Sequence, residues 1–150
     1  MDLFVPPRLF SLREANACVP LLQDTFERTR GVRSRLDALE AELKRLGHPL
    51  EGADVRIDQG APLKVQKLQA EAADCVAELL ELLRGITELG AEVKNADGLV
   101  DFRSRFEGRV VYLCWRSGED AITHFHELEA GFAGRAPLPE NAEFAGDPLH

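Results

Sequence analysis

Apolar residues recur along the first half of the chain at the spacing of a helix face. Leu22, Phe26, Thr29, Arg33, Leu36, Leu39, Leu43 and Leu46 step by three or four, and the Leu36–Leu46 part is a clean heptad stripe. Gly47 and Pro49 end it. A second stripe, Val65, Leu68, Ala72, Cys75, Leu79, Leu82, Ile86 and Leu89, steps 3-4-3-4-3-4-3 and stops at Gly90. Between them, residues 47–62 carry Gly and Pro turn signals and mixed charge and read as a loop; Pro62 suits the first turn of the second helix. The pattern predicts a long antiparallel helical hairpin over 11–90. At 1.5 Å per residue its helices run to about 50 Å and about 40 Å.

Two local signals refine the first helix. Ser11 followed by Glu14 is a capping box, in which hydroxyl and carboxylate each bind the other residue's backbone N–H. Pro20 lies well inside the helix, removes a backbone donor and clashes with the preceding turn, so a kink or break near 16–20 is expected. On the second helix, Cys75 lies on the stripe as a small core hydrophobe, while Val76, Leu80 and Leu83 form an extra apolar strip that needs a cover. That cover is either the C-terminal sheet or a second copy of the chain; a homo-oligomer formed through the helices is the expectation.

After Gly90 the period changes. β-Branched and aromatic residues broken by turn signals predict strands near 98–104, 109–116 and 120–126, joined through "RFEG" and "SGED" into a small antiparallel meander. Residues 127–150 are rich in Gly and Pro and read as an irregular tail that packs early and frays at its end. The fold class is therefore α+β: one domain of 150 residues, with the helical hairpin (11–90), the meander (98–126) and the tail.

Charge narrows the function classes. The chain carries a net charge of −8, which makes nucleic acid an unlikely partner. The exception is "RTRGVRSR", where Arg28, Arg30, Arg33 and Arg35 spread around a helix as a solvated face or as a patch that binds an anion or a partner. No apolar run is long enough to cross a membrane, and the start lacks a signal-peptide pattern, so a cytoplasmic location is expected. Cys18, Cys75 and Cys114 are odd in number and widely spaced, which fits reduced thiols.

The candidate chemistry lies in "ITHFHELEAGF". On a strand, His124 and His126 share one face, and such a pair supplies two nitrogen ligands to one metal ion. The hairpin around "SGED" brings the neighbourhood of Cys114 opposite that of His124, so Cys114, Glu119 and Glu127 become candidate ligands. Asp101 interrupts the apolar run "LVDF" on the adjoining strand and must face water, a partner charge or a metal. A thiolate pushes the choice of ion toward Zn; carboxylates leave Fe or Mn open. No dinucleotide or phosphate-binding Gly-rich loop, no His-Glu-x-x-His and no Gly-x-Ser-x-Gly occurs. The alternative reading of the same residues is a helical dimerisation or protein-interaction module without metal.

Several segments together, "FSLREANACVPLL", "GAEVKNADGLVDFRSRFEGRVVYLCWRSGED" and "HFHELEAGFAGRAPL", resemble an uncharacterised bacterial family catalogued as domain of unknown function 2203. The matching positions are Glu14, Ala15, Asn16 and Pro20, then Gly98 to Phe102, Tyr112 to Trp115, Gly118, Glu119, His126 and Arg135. Phe125 replaces the Trp usual before the His, and His124 is not part of the pattern. The resemblance implies no activity. It does imply that Glu14, Asn16, Asp101, Glu119 and His126 lie together, and it shifts weight toward His126 with Glu119. The expected centre is a divalent transition metal (Zn, Fe or Mn) held by His126, with Glu119, His124, Glu14, Asp101 and Cys114 as the further candidates. Whether it catalyses a reaction is left open.

Overall fold

The computed structural model describes residues 7–52 and 54–148. Helix α1 runs Leu12–Arg45 and α2 runs Leu63–Glu88; strands β1 (Glu92–Asn95), β2 (Leu99–Phe106), β3 (Arg109–Arg116), β4 (His124–Glu127) and β5 (Ala136–Pro137) follow, with a 3-10 turn at Phe132–Gly134. The described residues form two compact units: one joins residues 7–26 to residues 85–148, and the other holds residues 27–52 and 54–84.

In the 27–84 unit the two stripes meet. Leu39 packs with Ala72 and Cys75, and Leu43 with Ala61 and Val65, so residue numbers rise on α1 as they fall on α2 and the helices are antiparallel. Cys75 is buried in this seam, in the role its stripe position predicts. Leu50 and Val55, from the loop, pack against the same cluster. Arg35 of the basic segment is tied to Glu71 by a 2.6 Å ion pair.

Pro20 does not break α1, which continues through it. A proline costs the helix one N–H bond. Val19 and Leu22, on either side of it, are both buried, and that packing holds the segment helical. The N-terminus is closed by the predicted capping box: Ser11 N–H donates to Glu14 Oε1 at 2.9 Å, and Glu14 N–H donates to Ser11 Oγ at 3.0 Å. Such a cap contributes about 1 kcal/mol.

The sheet has five antiparallel strands in sequence order, where the pattern predicted three. Strand β1 is four residues long and polar, and β5 is two residues ending in a proline, so neither carries an alternation long enough to read. The third predicted strand begins at His124 rather than 120, because residues 120–123 form an irregular approach to it. One sheet face is apolar: Val100, Phe102, Val111, Leu113, Trp115 and Phe125 are buried. It packs on the start of α1 and its lead-in, with Phe10 edge-on to Phe102 at 4.9 Å and Phe26 beside Trp115 at 5.8 Å.

The tail is held further than expected. Ala145 exchanges both backbone hydrogen bonds with Arg105, Asp147 N–H donates to the Leu9 carbonyl, and Phe144 stacks on Phe106 at 4.6 Å. Residues 149–150, where fraying is expected, lie outside the described residues.

Candidate metal centre

The other face of the sheet carries the polar residues, and the register explains why. Asp101 pairs with Cys114, and Cys114 with His124; one step along, Arg103 pairs with Tyr112, and Tyr112 with His126. Paired residues of antiparallel strands point to the same face, and so do residues two apart. Asp101 (β2), Cys114 (β3) and His126 (β4) therefore rise from three neighbouring strands on one side.

There the carboxylate and the imidazole meet across the middle strand. His126 Nε2 lies 3.1 Å from Asp101 Oδ2. The ligand atoms of Asp101, Cys114 and His126 all lie within 4.8 Å of one another. All three residues are buried, Cys114 completely. Among the described residues Asp101 Oδ1 has no hydrogen-bond partner, and an unsatisfied buried acceptor costs roughly 1–3 kcal/mol.

The imidazole's other nitrogen fixes the electronic problem. His126 Nδ1 lies 2.8 Å from the Glu127 carbonyl oxygen. A carbonyl only accepts, so Nδ1 carries the hydrogen. In the neutral ring Nε2 is then a bare lone pair, and it faces a carboxylate oxygen that is also an acceptor. Two acceptors at 3.1 Å repel unless a cation lies between them, either a proton or a metal ion. Burial pushes the Asp101 carboxyl above the ordinary aspartate range, against the opposing pull of His126, Cys114 and Lys94. Burial, then the Asp101 charge, pushes the Cys114 thiol up to about 12.

A polar rim surrounds the three. Glu92 accepts from Lys94 Nζ at 3.1 Å, Arg103 Nε at 2.9 Å and Tyr112 Oη at 3.0 Å. Lys94 Nζ also approaches Asp101 Oδ2 to 4.0 Å and lies over the Tyr112 ring, which leans on His126. No sequence motif singles out Glu92, Lys94 or Arg103. The only signal was the Glu-x-Lys alternation in a strand too short to detect.

The remaining candidates are engaged elsewhere. Glu119 takes Arg135 Nη2 on both carboxylate oxygens, at 3.2 and 3.1 Å, and the Arg116 N–H at 2.7 Å, while its carbonyl takes Trp115 Nε1. Glu14 is held by the Ser11 N–H and by Arg8; the Ser11 backbone hydrogen bond, partly opposed by burial, draws its carboxyl below the ordinary range. His124 Nδ1 shares a hydrogen bond with Thr123 Oγ1 at 2.8 Å. Glu127 forms a two-pronged ion pair with Arg109. Among the described residues, Asp101, Cys114 and His126 are the one group of three or more such side chains placed to hold a metal ion.

The family match falls on this same stretch. The family model described as "Uncharacterized conserved protein (DUF2203)" matches residues 8–138. The chain belongs to that family. Its matched span contains α1, α2 and all five strands, and with them Asp101, Cys114, His126 and the Glu92 rim. Comparison with curated proteins and with solved structures finds no match to the chain.

Proposed function

We propose that this DUF2203 protein binds a divalent transition metal through Asp101, Cys114 and His126. The observation that carries the reading is the 3.1 Å approach of Asp101 Oδ2 to His126 Nε2. There Nδ1 is committed to a carbonyl and Oδ1 lacks a partner among the described residues. A metal ion resolves both facts: it takes the Nε2 lone pair and the carboxylate together. The Nδ1–carbonyl bond is the outer contact that normally orients a metal-binding histidine.

The donor set favours zinc. A histidine nitrogen, a thiolate and a carboxylate oxygen match its usual ligands, whereas iron or manganese would be served better by a second carboxylate. Around a tetrahedral zinc the donor atoms sit roughly 3.3–3.8 Å apart. Donors already within 4.8 Å need to draw in by no more than about 1–1.5 Å, which side-chain rotations supply. Three protein ligands leave one position for water or a substrate, the arrangement of a catalytic rather than a purely structural zinc. Metal analysis of protein purified without a histidine tag tests this. One equivalent of zinc should remain in the wild type and fall several-fold in Asp101→Ala, Cys114→Ala and His126→Ala variants that keep the wild-type circular dichroism. Equal, near-zero content in all four would end the proposal.

A second property is supported by the helical unit. Leu80 is 65% exposed, and it borders a cavity of about 470 Å³ lined by Leu36, Leu50, Val55, Val76 and Leu79. We propose self-association through this face in a cytoplasmic setting. Sedimentation should show a dimer that Leu80→Asp dissociates; a wild-type monomer at high concentration would contradict it. The two readings are compatible, and neither requires the other.

A further inference from the structure

A cavity of about 490 Å³ lies at the β1–β2 turn and the end of β3, lined by Asn95, Asp97, Leu99, Arg116, Ser117 and Phe132, among others. Its size is typical of sites for small organic molecules, roughly 300–1,000 Å³. We infer that this cavity binds a small organic monocarboxylate, held through its carboxylate by Arg116 and through its apolar body by Leu99 and Phe132.

The charge on Arg116 carries the inference. Among the described residues, no carboxylate forms an ion pair with its guanidinium, which lies 5.9 Å from the Phe132 ring. The nearest acid along the chain, Glu119, is taken by Arg135 and by Arg116's own backbone N–H. A planar guanidinium at the wall of a cavity matches a carboxylate with two parallel hydrogen bonds. Phe132 is 41% exposed, an apolar platform beside that charge. Asp97 lines the same cavity, so a second negative charge on the ligand would be repelled; hence a monoanion.

The walls are built rather than incidental. Asn95 Oδ1 accepts the N–H groups of both Asp97 and Gly98 at 3.1 Å, and Ser117 N–H donates to the Gly98 carbonyl at 2.7 Å. Gly98 sits at φ +114°, where a side chain is strained, and a Cβ there would come within 2.5 Å of Ser117 Cβ. The turn is thus closed on itself and leaves the space beside it open.

The cavity also shares the face of the metal centre. Leu99 and Arg116 are direct partners, as are Asp101 and Cys114 two residues further in. Two residues along a strand span about 7 Å, so Arg116 stands one such step from Cys114 on the same face. Binding itself does not depend on a metal, and the inference stands if the metal reading fails.

Benzoate is the probe, with benzamide as its uncharged counterpart, titrated into the isotope-labelled full chain and followed by amide resonances. Benzoate should give saturable shifts at residues 95–99 and 116–117. Its affinity should fall about tenfold or more in Arg116→Leu, a change of about 1.4 kcal/mol, and less in Arg116→Lys. Phe132→Ala should weaken it as well, and benzamide should bind the wild type about as weakly as benzoate binds Arg116→Leu. The spectra themselves report whether each variant is folded. No saturable shift in the wild type, shifts confined to other regions, or equal benzoate affinity in folded wild type and Arg116→Leu would each overturn the inference.

Discussion

The side chain of Asn16, in the second turn of α1, accepts the backbone N–H of Ile122 at 2.8 Å across 106 residues of sequence. Ile122 is buried and lies two residues before His124, so this bond fixes how the chain enters β4 and where His126 lands. The bond is made by the side-chain oxygen. Asn16→Ala should therefore destabilise the protein by about 1–3 kcal/mol, the cost of a buried N–H left without its acceptor. Asn16→Asp, which keeps an oxygen there, should lose much less. Urea denaturation of the two variants checks this.

That bond also lies beyond what spacing in the sequence can show. The helical stripes, the capping box and the alternation of β2 and β3 are periodic, so each was legible from spacing alone. Asn16 and His126 stood out as polar residues that the family resemblance puts together, but nothing local says what either one touches. Cys114 could be placed beside Asp101 only once the β2–β3 register was known, because a slip of one residue would send either side chain to the other face. Glu119 looked like a ligand because the "SGED" hairpin and the family resemblance put it with His126. In space Arg135, sixteen residues on, claims it. Lys94 and Glu92 went unread because β1 is four residues long and its register shifts near its end.

Asp101 gives a prediction that separates the metal-free and metal-bound states. Burial holds its folded pKa above the ordinary aspartate value. Its contribution is thus fully present below that value and is lost as pH rises through the raised one. The metal-free wild type should lose stability over that window, and Asp101→Asn should not. At about pH 8 the metal-free Asn variant should be the more stable by about 1 kcal/mol, since its amide N–H can donate to His126 Nε2. Zinc should stabilise the wild type and leave the variant unchanged. Thermal melts with and without zinc measure all three.

Glu92 has the opposite sign. Burial alone would raise its carboxyl, but the hydrogen bonds from Lys94 and Tyr112, with help from Arg103, win and draw it below the ordinary range. Its contribution is present above the ordinary glutamate value and fades as pH falls through the lowered one. Glu92→Gln should therefore cost stability near neutral pH and approach wild type in acid. A stability profile of the pair from about pH 7 to about pH 3 would show the gap closing.

The Cys114 thiol, fully buried and with its pKa pushed up to about 12, should resist alkylation in the folded, metal-free protein at about pH 8, because the thiolate is the nucleophile. Denaturant should make it react. Iodoacetamide labelling read by peptide mass spectrometry gives the result directly, with Cys18, only partly buried on α1, as the internal comparison.

Cobalt(II) offers the most direct test of the central claim, because a thiolate bound to cobalt absorbs strongly in the near ultraviolet while a nearby thiol does not. Titrated into metal-free protein, cobalt should raise that band to saturation at one equivalent, and zinc should then bleach it. Cys114→Ser should show no such band, and His126→Ala should bind cobalt far more weakly. A folded wild-type protein that gives no charge-transfer band, or a Cys114→Ser variant that gives the same one, would contradict a metal centre at Asp101, Cys114 and His126.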